Sequence, residues 1–166
     1  KHPAVIRISL CGSLRRGKEV IGDIDLLISS KTPDAVMEVF TSLENVEQVA
    51  AKGDTKSSVI LKSGMQADLR VITDEQFPYA LNYFTGSKEH NTALRALAKK
   101  RNYKLNEYGL FEGEKLLKCR DEEELYKRLG LAYIPPELRE DTGEIDAAAE
   151  DNLPQLVEMN DLQGTL

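Results

Sequence analysis

The 166-residue sequence contains no tryptophan, two histidines and two cysteines. Cys11 and Cys119 cannot build a structural zinc site by themselves. Their separation favours buried core thiols in a reducing compartment over a disulfide. No run of 18 apolar residues occurs, which excludes a membrane-spanning helix. Internal repeats and low-complexity tracts are also missing, which excludes solenoid and disordered-scaffold architectures. The opening Lys1-His2-Pro3 lacks a methionine, an apolar core and a cleavage site, so no signal peptide is visible and the chain reads as a piece of a longer protein. The length and the 41% hydrophobic content suit one domain or two small ones with a real core.

Positive charge is scarce overall, and the formal net charge is −6. The deficit is local. Residues 137–166 hold nine of the 28 acidic residues and one of the 22 basic ones, Arg139, which leaves 19 acidic and 21 basic residues in 1–136. That stretch carries +2 and is compatible with phosphate-backbone contact, although charge alone does not point to nucleic acid.

What the sequence does contain is one dense stretch, from Gly12 to Leu27. Val5 to Leu10 alternates apolar and polar residues as a strand does, and Ile24 to Ile28 reads as a second strand. The Gly12-Ser13 turn between them offers backbone N–H groups and a hydroxyl to a phosphate, and Arg16 adds a permanent positive charge. Asp23 and Asp25 are two apart on a strand, so both carboxylates face one side. Two such hard-oxygen ligands beside a phosphate cradle suit Mg²⁺. A lone Asp-x-Asp is more often a solvated strand face; the turn and the arginines at this offset favour the site. Met65 to Ile72 is a further strand, with Asp68 and Arg70 sharing one face. If it lies beside the Asp23/Asp25 strand, three carboxylates converge, enough for two divalent ions.

The remaining pattern predicts an α+β chain. Leu14–Val20 is expected to be a short helix. Thr32 or Ser30 caps a helix begun by Pro33, whose apolar stripe at 36, 39, 40 and 43 faces a core. Strands are expected near 46–51, 56–62 and 65–72. Helices follow over Phe77–Phe84 and Ser87–Arg101, short strands over 103–105 and 108–111, and an Asp121-capped helix ending near Gly130.

Gly12-Ser13-x-Arg15-Arg16-Gly17-x-Glu19-x-x-Gly22-Asp23-x-Asp25 resembles the signature of the DNA polymerase β superfamily, specifically the family-X polymerases. Tyr83-Phe84-Thr85-Gly86-Ser87 followed by Asn91 resembles that family's nucleotide-binding thumb motif. Lys88-Glu89-His90-Asn91 points to the bacterial and archaeal branch. Leu162 to Leu166 resembles the segment before the histidine-rich motif of a polymerase-and-histidinol-phosphatase domain.

The resemblance implies a nucleotidyltransferase palm over 1–76, a mixed sheet with helices on one face. A small α+β thumb over 77–140 follows, then an acidic linker over 141–166 toward a further phosphoesterase domain. Removing the linker is expected to improve DNA binding slightly. The implied activity is gap-filling, template-directed DNA synthesis in repair, including base excision repair, in a prokaryotic cytoplasm. The implied partners are dNTP and gapped or primer–template DNA, with no membrane, and the chain is expected to be a monomer. Two Mg²⁺ ions, or Mn²⁺ in their place, are held by Asp23, Asp25 and Asp68. Gly12, Ser13, Arg16 and Gly22 take the β- and γ-phosphates. Tyr83, Phe84 and Gly86 form a platform for the sugar, and Asn91 meets the minor-groove edge of the incoming base. Arg95 faces the template side and, with Arg70, makes up the expected DNA contacts, Arg70 also orienting or neutralising carboxylates. Arg15 cannot share the direction of Arg16 and is expected to pack or pair. Two departures stand out: the helix-hairpin-helix regions are absent, and Gln66 replaces an arginine found in vertebrate members. Template-independent nucleotide transfer and a silent DNA-positioning scaffold are the competing readings.

Overall fold

A computed structural model describes residues 2–18 and 23–154. Five strands make the first sheet: β1 (Arg7–Leu10), β2 (Asp23–Ser29), β3 (Val46–Lys52), β4 (Lys56–Leu61) and β5 (Gln66–Ile72), in the order β1-β2-β5-β4-β3. Only the β2–β5 pair is parallel; the others are antiparallel, so the sheet is mixed. Period-two alternation in β5 sorts its residues cleanly. Ala67, Leu69 and Val71 are buried on one face, and Gln66, Asp68 and Arg70 lie on the other.

Helix α2 (Pro33–Thr41) covers the apolar face through Val36, Met37 and Phe40, packed on Val59, Leu69 and Val71. The expected stripe is thereby corrected. Val39 and Leu43 stay 40% and 44% exposed, because the helix turns residue 37 rather than 39 to the sheet and stops before 43. The two sheet edges differ. Edge strand β3 is bulged at two places, whereas on edge strand β1 Ile8 and Leu10 are exposed, as is Ile6 just before it.

The turn helix α1 is Gly12–Arg15, shorter and earlier than the expected Leu14–Val20, and Gly17 with φ +73 breaks away from it. Of the residues flagged in the sequence, Gly22 lies outside the described ones, as do Glu19 and Val20.

Beyond Ile72 the chain becomes mainly helical: α3 (Phe77–Thr85), α4 (Lys88–Lys100), strands β6 (Lys104–Asn106), β7 (Gly109–Glu112) and β8 (Lys115–Leu116), α5 (Glu122–Arg128), a 3₁₀ turn (Pro136–Leu138) and α6 (Glu144–Ala149). Ser87 and Asp121 cap α4 and α5, each side chain accepting from the N–H three residues on. Leu94, Leu105, Leu110, Leu125, Leu129 and Ile134 form the core of this half. Helix α3 meets the first sheet through Phe77 and Ala80 against Leu27 and Cys11. Both cysteines are free and buried.

The acidic stretch is not an extended linker where it is described. Its Ala148 is buried in the core of this half, with Leu153 packed against it, and Glu144 is 4% exposed. Composition misled because the stretch turns only a few apolar positions inward and buries its one inward carboxylate against a partner. Removing it would strip that core, so the expected gain in DNA binding does not follow.

The partner is His90, fully buried. Its Nδ1 lies 2.5 Å from Glu144 Oε2, and its Nε2 is 3.0 Å from the Tyr126 hydroxyl, which also accepts from Asn82 Nδ2. Neutral imidazole satisfies every group: Nδ1–H donates to the carboxylate and Nε2 accepts from tyrosine. A second ring proton would require the Tyr126 hydroxyl to turn from donor to acceptor, taking its own proton away from Nε2. Burial accordingly holds His90 below its ordinary 6.5, outweighing Glu144. Since the folded value is the lower one, the unfolded chain takes up the proton first as pH falls. Stability is complete above about 6.5 and drains away below it. Thermal melts from about pH 7.5 to 5.5 should show a falling midpoint, and NMR titration should place the His90 ring below 6.5.

Candidate active site

The site forms where β2 and β5 run side by side. Their register sets Asp25 opposite Asp68 and Asp23 opposite Gln66, all on the face away from α2. The adjacency on which the three-carboxylate expectation depended is therefore present. The antiparallel partner β4 adds Ser58 opposite Asp68 and Lys56 opposite Arg70, two residues that the sequence reading missed. Alternation within β4 was the available signal, but it required knowing which strand neighbours β5.

The electrostatics of the two inner carboxylates diverge. Burial raises Asp25, and Asp68 and Asp23 add to the rise against the pull of Arg70. Asp68 is also desolvated, yet hydrogen bonds from Ser58 and from Gln66, whose Nε2 is 3.0 Å away, bring it below the ordinary range. Gln66 thus acts on the carboxylate directly. The side chains alone do not complete a cation cage: among the described residues no group of three or more His, Cys, Asp or Glu could hold a metal ion. Like charges that raise Asp25 also oppose closer approach.

Gly12 closes the other side. Its φ is +63, and a Cβ there would lie 2.9 Å from Asp25 Oδ2. Cys11 N–H donates to the Asp25 carbonyl at 2.8 Å, locking the turn onto β2. The first turn of α1 leaves the N–H groups of Gly12, Ser13 and Leu14 outside the helical ladder.

Arg15 and Arg16 both reach Thr85 but pair with different carboxylates. Arg15 donates to Thr85 Oγ1 at 2.7 Å and to Glu122 Oε1 at 2.5 Å. Arg16 donates from Nη1 to the Thr85 carbonyl at 2.6 Å and from Nε to Glu140 Oε2 at 2.8 Å. It opens into a cleft of about 390 Å³ lined also by Tyr83, Phe84, Gly86, Asn91 and Arg95. The structure thus gathers Arg16 and the helical-half candidates around one space. Gly86 has φ +70 and a cis bond to Ser87, and a Cβ on it would lie 3.0 Å from Arg16 Nη1.

Asn91 spends Nδ2 on the Tyr83 carbonyl at 2.7 Å, while its buried Oδ1 has no partner. Tyr83 and Phe84 pack edge to face, and the Arg70 guanidinium lies 4.2 Å from the Phe84 ring centroid. Arg70 therefore bridges the carboxylate strands and the helical half. Arg101, just after α4, packs on Gly130.

Residues 2–77 match the DNA polymerase beta palm family and residues 80–140 the DNA polymerase beta thumb family. The chain is 37% identical over 136 residues to a Repair DNA polymerase X of African swine fever virus, covering 77% of this chain and 78% of the viral protein. The chain belongs to the family-X DNA polymerases. It is also 39% identical over 166 residues to the DNA polymerase/3'-5' exonuclease PolX of Bacillus subtilis, and 30% identical over 169 residues to DNA polymerase lambda of Rattus norvegicus. These cover 98% and 84% of this chain, which spans only 29% of each of those two proteins.

A side chain at residue 12 is incompatible with this family-X site. Gly12→Ala must either displace Asp25 or abandon its left-handed backbone, at a cost of about 1–3 kcal/mol. Denaturant unfolding should show that loss.

Proposed function

We propose that this chain performs template-directed nucleotidyl transfer, with a primer 3′-hydroxyl attacking the α-phosphate of a dNTP and releasing pyrophosphate, in gap-filling DNA repair. The observation that carries the reading is the Asp25–Asp68 register on neighbouring strands beside the Gly12 turn, with Arg16 opening into the Tyr83–Asn91 cleft. Residues 1–76 would serve as palm and 77–140 as thumb, with residues 141–154 packed onto the thumb.

The donor set fits divalent cations. Asp23, Asp25 and Asp68 supply hard oxygens on one face, and Mg²⁺ is commonly completed by substrate phosphates and water rather than by an all-protein cage. Bound there, such an ion would neutralise phosphate charge and acidify the primer hydroxyl. Asp68, fixed by Ser58 and Gln66, stays ionised and oriented. Arg70 offsets the carboxylate charge from the same face. Arg16 with the N–H groups of Gly12 and Ser13 meets the outer phosphates, while Gly22, expected there too, lies outside the described residues. Tyr83, Phe84 and Gly86 seat the sugar, and the Asn91 amide, with one Nδ2 proton spent on the Tyr83 carbonyl, keeps its other proton for the base edge. Arg95 lines the same cleft toward the template. Aligning the reactants and neutralising their charge is most of what phosphoryl transfer requires.

Asp25→Ala and Asp68→Ala should each abolish incorporation on a one-nucleotide-gapped duplex with Mg²⁺ or Mn²⁺; wild-type turnover in either would overturn the assignment. Arg16→Ala should weaken dNTP binding by about 1.5–3 kcal/mol, the worth of a charge-assisted hydrogen bond, read by titration. Unchanged dNTP affinity would make Arg16 structural.

A further inference from the structure

We propose that Glu140 is a positioning residue for the nucleotide site, orienting the Arg16 guanidinium so that its free donors meet the triphosphate. The inference rests on the nucleotidyl-transfer reading and assigns a role to a side chain at the very end of the matched thumb region.

Arginine carries five N–H donors in a rigid fork. In Arg16 one Nη1 proton is taken by the Thr85 carbonyl and the Nε proton by Glu140, so two points fix the plane of the guanidinium. No partner among the described residues takes the Nη2 protons, which leaves them for a ligand. Lys18 Nζ lies 3.0 Å from the same Glu140 oxygen, which draws a second cation to this position. Both Arg16 and Glu140 are partly buried, at 15% and 26% side-chain exposure, so the pair is shielded beyond an ordinary surface contact. Burial raises the Glu140 carboxyl, but hydrogen bonds from Lys18 and Arg16 outweigh it and hold the group ionised.

Glu140 is itself held from both sides. Arg139 is fully buried, donating to both Glu122 oxygens and to the Ile134 carbonyl. Asp141 and Thr142 donate their backbone N–H groups to Glu144, the residue paired with His90. The buried Arg139–Glu122 ion pair and the buried His90–Glu144 hydrogen bond thus bracket one carboxylate, and its reach to Arg16 is set by the backbone rather than by a wandering side chain.

A carboxylate beside a phosphate-binding arginine could instead compete with the phosphate. The geometry argues for orientation: Glu140 takes a single donor, Nε, and leaves both Nη2 protons without a partner among the described residues, whereas a competitor would occupy Nη2.

The test is steady-state incorporation by the full chain on a one-nucleotide-gapped duplex. Glu140→Ala should raise KM for dNTP about five- to tenfold, with kcat changed less than about twofold, and Glu140→Gln should recover part of the loss by keeping an acceptor. In an Arg16→Ala background Glu140→Ala should add nothing, because its effect passes through Arg16. A lower KM in Glu140→Ala would show competition and overturn the proposal. So would an unchanged KM with only a lowered Tm, or an equal effect without Arg16. Titration with inorganic triphosphate separates this from the parent reading. If the wild type binds triphosphate better than Glu140→Ala, with the difference erased by Arg16→Ala, but incorporates no nucleotide, the functional reading fails and the positioning role stands. If triphosphate affinity is the same in both, the positioning role fails.

Discussion

One buried carboxylate governs how the two halves of this chain meet. Glu122 is 4% exposed and accepts from Arg139 within the thumb and from Arg15 of the palm turn. Desolvating three charges is expensive, and Glu122 is held ionised only because both guanidiniums outweigh its burial. Arg15 reaches Thr85 as well, so the α1 turn is fastened to the end of α3. Arg16, the next residue, reaches the backbone carbonyl of the same Thr85 and then opens into the cleft.

The carboxylate face shows a related division of labour. Asp25 and Asp68 are neighbours, yet their environments push them in opposite directions, because Asp68 receives two side-chain hydrogen bonds and Asp25 receives mainly repulsion and burial. Lys56 and Arg70 sit opposite one another on the adjoining strands and temper that repulsion. Divalent cations, when bound, would relieve what these cations leave.

Much of this was legible because it depends on local rules. Alternation in β5 put Asp68 and Arg70 on one face, and Ser87 and Asp121 announced two helices by their capping chemistry. Neighbour relations across long loops were not legible. β2 pairs with β5 across the intervening α2, β3 and β4, so the Asp25–Asp68 register was only conditional, and Lys56 and Ser58 went unseen. Helix α6 was missed for the same reason: Glu144 looks like one more solvated acid until it meets His90, 54 residues earlier in the chain. Family likeness supplied roles for Tyr83, Gly86 and Asn91 that spacing alone would not have given. The Asn91 bond to the Tyr83 carbonyl came from neither source.

The two ends of the palm sheet are defended unequally against unwanted strand pairing. At β3 the bulges break the regular row of backbone donors and acceptors, and Glu47, Gln48 and Lys52 add polar side chains. At β1 the pairing to β2 is regular over four residues, with exposed Ile8 and Leu10 beside an exposed Ile6. An incoming strand would find at β1 an unbulged edge with an apolar flank, though the Arg7 N–H and the Leu10 carbonyl already bond the Ser29 and Ser9 hydroxyls, and at β3 a kinked, polar one. Chain added to this sheet, whether from the same polypeptide or another, meets the lower barrier beside β1.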